Sequence, residues 1–255
     1  MGEAFCEICG GTGYRVVEKG GLSAAERCVC YGARRTASLL DRAGIPANYA
    51  RASFDTFILP DPKSNPINYE SMVGPFTNVR SFARGFPNAD KPGLLLVGDP
   101  GTGKTHLAVA VLKILIENGH EGVFYDYQNL LDRIRSSYDE SSGSSDKEAY
   151  REALESEVLL LDDLGAHRVT EWVEDTVTSI ITYRCNNRLP LIATTNLPDP
   201  DMGSQVMQRT GVSSQVEYRT TLAERIGGRA RSRLFEMCRI VKMPKVGDYR
   251  VAPTR

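Results

Sequence analysis

Between Leu94 and His106 the chain reads LLLVGDPGTGKTH, and the next nine residues, LAVAVLKIL, carry helical periodicity. An apolar strand, a glycine-rich turn and a helix in direct succession are the context that a phosphate-cradling P-loop requires. Gly98, Gly101 and Gly103 allow backbone N–H groups to converge on phosphate oxygens, and the helix N-terminus adds its partial positive charge at the same place. Lys104 is placed to reach β- and γ-phosphates, and Thr105 to offer its hydroxyl to Mg²⁺. Pro100, Thr102 and His106 complete the predicted nucleotide-binding loop. The segment therefore predicts a nucleoside triphosphate site; the alternative is a plain glycine-rich turn between a strand and a helix.

A chain of 255 residues can build one α/β domain plus a small appendage. Its formal net charge of −1 advertises no global attraction for nucleic acid. The charge is uneven, however: from Gly203 to Arg255 there are eleven Arg/Lys against four Asp/Glu. That excess suits an anion or nucleic acid, and equally a solvated basic face. No apolar run approaches the roughly 18 residues of a membrane span, and the first residues lack a secretory pattern, so no membrane partner and a cytoplasmic location are expected.

Four of the six cysteines form two early pairs, Cys6-x-x-Cys9 and Cys28-x-Cys30, separated by eighteen residues. In a reducing compartment two such pairs more often close a tetrahedral structural zinc site than form disulfides. Gly10, Gly11 and Gly13 supply the tight turn after the first pair. Disulfides and free thiols are the alternatives. Four thiolates leave no open coordination position, so this site would fold its module and perform no chemistry. Cys185 and Cys238 lie in apolar surroundings and read as buried small hydrophobes.

Along the rest of the chain, ARRTASLLDRAG reads as a short helix stopped by Gly44 and Pro46. Residues 47–66 read as a connector lying against the next domain, and residues 67–86 as a helix broken at Gly74-Pro75. From Gly93 onward, strands at 94–97, 123–126, 158–163 and 190–196 alternate with helices after the loop, near 128–138 and over 170–187. Alternating helices and continuously apolar strands predict a parallel sheet covered on both faces. SSGSS, residues 141–145, reads as a flexible spacer between two helical pieces.

Hydrolysis needs more than a cradle. In LLLDDLG, Asp162 ends a buried strand where it can hold Mg²⁺ through water, and Asp163 is placed to polarise the attacking water. The next strand ends in Thr194-Thr195-Asn196, where Asn196 can hydrogen-bond the γ-phosphate and the lytic water. Each of these is also an ordinary turn residue when taken alone.

Taken together, the order and spacing of these parts resemble the AAA+ ATPases, and within them the DnaC/IstB-like helicase-loader branch, from about Ala43 to Arg250. The resemblance implies a three-layer P-loop NTPase fold, ATP with Mg²⁺, GDPGTGKT as Walker A, LLLDDLG as Walker B, and Asn196 as sensor 1. It also implies that the helix from Asn129 to Tyr138 faces single-stranded DNA, offering Arg133, Arg135 and Tyr138. In ERIGGRARSRLFEMC, Arg233 resembles the finger that reaches a neighbour's γ-phosphate, although Arg225, Arg229 and Arg231 lie within the same nine residues. A finger in trans requires self-association into a ring or open helix. The cysteine module resembles the zinc modules of some members.

The expected organisation is therefore a docking module over 1–43, a linker and first helix over 44–90, and an ATPase core over 91–255. The expected role is loading a replicative DnaB-type helicase onto single-stranded DNA. An IstB-type transposase helper and an ATP-binding scaffold with little hydrolysis are the alternatives. Three features depart from the family pattern: Asp163 stands where many relatives carry Glu, the sequence after Arg233 leaves no room for a full helical lid, and Leu197–Thr220 has no assigned role. Between Gly122 and Val158, nine Asp/Glu outnumber four Arg/Lys, which predicts weak DNA affinity in the monomer.

Overall fold

A computed structural model of the chain describes residues 6–137, 144–202, 207–209 and 216–246. The cysteine-rich start forms a hairpin, β1 (Tyr14–Lys19) and β2 (Leu22–Arg27), followed by α1 (Tyr31–Arg42). After the connector come α2 (Pro66–Gly85), β3 (Gly93–Val97) and α3 (Lys104–Glu117). Then β4 (Gly122–Asp126), α4 (Tyr127–Ser136) and α5 (Ser144–Glu155) lead to β5 (Val158–Asp162), α6 (Glu171–Asn186) and β6 (Leu191–Thr195). A small antiparallel pair, β7 (Met207–Arg209) and β8 (Val216–Tyr218), precedes α7 (Leu222–Ile226), α8 (Gly228–Met237) and β9 (Cys238–Lys242).

Five strands make one parallel sheet in the spatial order β4-β5-β6-β3-β9. The α/β, P-loop NTPase architecture expected from the sequence is thus the one observed. Because side chains alternate along a strand, β3 sends Leu94 and Leu96 into one core and Leu95 and Val97 into the other. The first core is completed by α2, α3 and the end of α1, the second by α4 to α8. Burial on both faces explains why these strands read as unbroken apolar runs. Parallel pairing also brings all strand C-termini to one edge, with Val97 opposite Thr195 and Asp126 opposite Asp162.

Several local expectations change. The helix over 66–85 is continuous through Pro75, because Met72, Val79, Phe82 and Ala83 are buried on its inner side and outweigh the missing N–H of the proline. Ser144 and Ser145 of the foreseen spacer belong to α5; residues 141–143 lie outside the described region. The hairpin had a signal in Gly20-Gly21 between two β-prone runs, a two-residue turn of the kind that favours positive φ. Cys238 is fully buried, whereas Cys185 is half-buried in the last turn of α6. Among the described residues no helix is long and apolar enough to cross a membrane.

Arg184 is the largest fully buried side chain. Its guanidinium donates to the carbonyls of Ala153 (3.0 Å), Leu154 (3.2 Å) and Pro190 (2.6 Å). The cation thereby meets the negative end of α5 and ties it to β6. Burial lowers its pKa to about 10, which still leaves it charged at neutral pH.

Candidate nucleotide site

The loop between β3 and α3 stands at the C-terminal edge of β3, which β6 and β9 flank. Gly103 caps α3 in a left-handed conformation (φ 85°), and a Cβ there would meet the Phe57 ring at 2.5 Å, so glycine is required twice over. Gly98 is equally constrained: a Cβ would stand 2.9 Å from that of Met243 after β9. Thr102 is buried and its hydroxyl donates to the Asp99 carbonyl at 2.9 Å. Lys104, only 5% exposed, donates to that same carbonyl at 2.8 Å.

Beside this loop lies a cavity of about 240 Å³. One wall is Gly101, Gly103, Lys104 and Thr105; Asp163 and Asn196 close one end, and Tyr49, Thr56, Phe57 and Ile58 of the connector form another wall. The foreseen residues Gly98, Pro100 and Thr102 do not line it: Thr102 points inward, Pro100 faces solvent, and Gly98 borders a second cavity. His106 does line it, but its Nε2 engages the Ser53 carbonyl at 2.8 Å and the Thr56 hydroxyl at 3.3 Å. One helix turn pair later, Lys113 donates to the carbonyls of Ala50 and Ala52. Two side chains seven residues apart on one face of α3 thus fasten the connector. The connector wall was missed by sequence reasoning. Its aromatic residues, Tyr49, Phe54 and Phe57, were the available signal.

Asp162 ends β5 with only 6% exposure. Burial pushes its carboxyl above the usual carboxylate range; the Thr194 hydroxyl, donating at 2.6 Å, pulls the other way, the Asp163 charge raises it again, and the facing Thr105 hydroxyl lowers it. Asp163 leaves the strand with φ 53°, its N–H bonded to the Thr194 hydroxyl and its carboxylate receiving the Asn196 amide at 3.0 Å. A non-glycine residue at positive φ is uncommon and marks a position held by its surroundings. Lys104, Thr105, Asp162, Asp163 and Asn196 therefore converge on one strand edge. Thr105 and Asp162 have the oxygen chemistry and placement to hold a hard divalent cation.

The arginines behave differently. Arg231 is locked to buried Asp199 through two bonds (2.8 and 2.6 Å) and to Asp201 at 2.7 Å. Arg225 donates to the His167 carbonyl. Arg233 is not brought to this cavity: it pairs with Glu236 on the exposed side of α8, just before β9 begins at the opposite end of the sheet. Arg133 lies over the Tyr125 ring and Arg135 over Trp172, at 5.5 and 5.2 Å. Tyr138 lies outside the described residues.

The four early cysteines come together, their sulfurs all within 4.8 Å of one another. Cys6 and Cys28 stand 3.8 Å apart, and Cys9 and Cys30 3.5 Å apart. Ligands about 2.3 Å from a tetrahedral ion stand about 3.8 Å apart, whereas a disulfide needs about 2.05 Å, so the arrangement fits a thiolate-bound ion. The Gly13 N–H points at the Cys9 sulfur at 3.3 Å. Burial opposes ionisation of Cys9, but the Gly13 N–H and the neighbouring thiols lower it to about 6.

A family model for IstB-like ATP binding proteins matches residues 81–219, the stretch that carries both carboxylates and the loop. YqaM of Bacillus subtilis, uncharacterised, is 27% identical over 199 residues, covering 72% of this chain and 60% of that protein. The replicative helicase loader DnaC of Escherichia coli is 21% identical over 173 residues, covering 66% of each chain. The chain thus spans about two thirds or less of these relatives' lengths. A crystal structure of the DnaC helicase loader superposes with a TM-score of 0.58 and 33% identity, covering 78% of this chain and all of that one. With more than half of its length inside the family model and its loop and carboxylates in a common site, the chain belongs to the IstB-like ATP binding protein family, alongside the DnaC loaders in the AAA+ class.

Proposed function

We propose that this protein is an ATP-dependent loader that places a DnaB-type replicative helicase on single-stranded DNA and hydrolyses ATP where subunits meet. The convergence of Lys104, Thr105, Asp162, Asp163 and Asn196 on one strand edge carries this reading. Lys104 neutralises the β- and γ-phosphates, while Thr105 and Asp162 hold Mg²⁺, which screens the phosphate charge. Asp163, steered by Asn196, orients the attacking water. Arg233 stands at the sheet end remote from its own loop, so its charge serves a second copy, in a head-to-tail ring or open helix. Residues 1–43, folded around zinc on Cys6, Cys9, Cys28 and Cys30, dock the partner. Residues 44–90 link this module to the ATPase core at 91–255, and the whole works in the cytoplasm.

Arg133 and Arg135, already stacked on aromatic rings, meet the DNA backbone only when several subunits align them along one strand. The IstB-like match favours one second reading, an ATPase that helps a transposase. Co-purification of the tagged chain with ATP decides between them: a hexameric helicase among the bound proteins is expected, and a transposase in its place overturns the loader reading. Turnover that rises with single-stranded DNA is expected in the same preparation; binding without turnover would leave a scaffold.

A further inference from the structure

Next to the P-loop, on the side away from the connector, lies a second cavity of about 420 Å³. It is bordered by Gly98 and Asp99 of the loop, by Asn196, and by three cationic residues, Arg219, Lys242 and Lys245. Asn196 borders both cavities. In the first it stands beside Asp163, so the shared wall is the terminal-phosphate end of the site, and Tyr49, Phe57 and Ile58 mark the base end. Arg219 reaches this wall from the segment after β8. Its Nη2 bonds the Asp99 carboxylate at 3.1 Å, and both side chains are about one-third exposed. Lys104 holds the carbonyl of that same Asp99. One loop residue is therefore gripped from two sides by cations, one of them the residue expected to serve phosphate.

We propose that Arg219 is a phosphate-contacting arginine that exchanges the Asp99 carboxylate for the terminal phosphate of a bound triphosphate. The inference rests on reading the cradle as a triphosphate site, and it assigns a role to part of the 197–220 segment. A guanidinium exchanges one anionic oxygen pair for another at little cost, because its planar fork matches both carboxylate and phosphate. Of the other arginines of this region, Arg231 is committed to Asp199, Arg225 to the His167 carbonyl and Arg233 to the far end of the sheet, while exposed Arg229 does not border this cavity. A diphosphate lacks the group Arg219 would meet. The arginine thus confers discrimination between the two nucleotides, supplied within the subunit.

The test compares a nonhydrolysable ATP analogue with ADP, both with Mg²⁺, on the full chain by calorimetry. For Arg219→Ala, the preference for the triphosphate should fall about tenfold to a hundredfold while ADP affinity stays unchanged, the size expected for one charge-assisted hydrogen bond. Arg219→Lys should retain part of the preference. Asp99→Asn, which frees Arg219 without removing it, should keep or strengthen it. Equal losses for both nucleotides in Arg219→Ala, or a loss of preference in Asp99→Asn matching that of Arg219→Ala, would show that the arginine only braces the loop. An unchanged ratio in Arg219→Ala would also overturn the proposal. Failure of the wild-type chain to bind either nucleotide would instead sink the reading of the cradle itself.

Discussion

Asp162 shows how a site is maintained at the expense of stability. Its folded carboxyl is raised by burial, so between the ordinary carboxylate range and that raised value the folded chain binds more protons than the unfolded one. Stability then falls as pH rises through this window, and the cost is fully present above it. Asp162→Asn keeps an oxygen for the Thr194 hydroxyl but carries no charge, so in chelator at pH 7 it should melt about 2–4 °C higher than the wild type. The difference should shrink at acidic pH, where both side chains are neutral. An equal or lower melting temperature at pH 7 would contradict this. The meeting of Lys104, Thr105 and Asp162 at one strand edge was legible in the sequence because the motifs that carry them fix residue type and spacing. Arg219 and Phe57 were not, since their proximity to the loop comes from the fold and not from chain distance.

Among the elements, α5 and α6 depend on one another through Arg184, whose buried guanidinium no periodicity argument could have foreseen; a charged residue in the last turn of a helix reads as solvated. Replacing it with Leu strands the carbonyls of Ala153 and Leu154, and about 3 kcal/mol or more should be lost in urea unfolding. Arg184→Lys should recover little, because one ammonium cannot span the acceptors on both α5 and Pro190. The cysteine module is the converse case. Its hairpin is exposed along nearly its whole length and buries little of its own, so the sulfur cluster must supply its cohesion. Cys6→Ser should therefore release zinc by elemental analysis and open residues 6–30 to protease. The main melting transition should persist, because Leu39 and Ala43 anchor only the end of α1 in the larger core. A module that resists protease without metal would refute this account.

At the scale of the whole molecule, parallel pairing separates two groups of residues by the length of a strand. The loop and the two carboxylates gather at one edge of the sheet, and Arg233 stands beyond the other. Arg233→Ala should leave nucleotide affinity intact while lowering turnover of the assembly about a thousandfold, the effect of losing a fully engaged finger. Arg231→Ala should instead destabilise the fold, because Asp199 would be left buried and unpaired. Full turnover in the Arg233 variant would shift the role to exposed Arg229. The alternation of strands and helices made this architecture readable in advance; the positions of the arginines relative to the sheet were not, because helix α8 and strand β9 meet without a loop to announce the change.

His106 and Lys113 rivet residues 50–56 to the helix that begins the phosphate cradle, and that same stretch leads back to the cysteine hairpin. The hairpin and the nucleotide cavity are thus joined through α1, whose end is anchored by Leu39 and Ala43, and through the riveted stretch. By reciprocity, if a partner on the front of the chain changes nucleotide affinity, nucleotide changes the affinity for that partner by the same factor. The tether acts as a lever arm, and its fulcrum spans about two turns of helix.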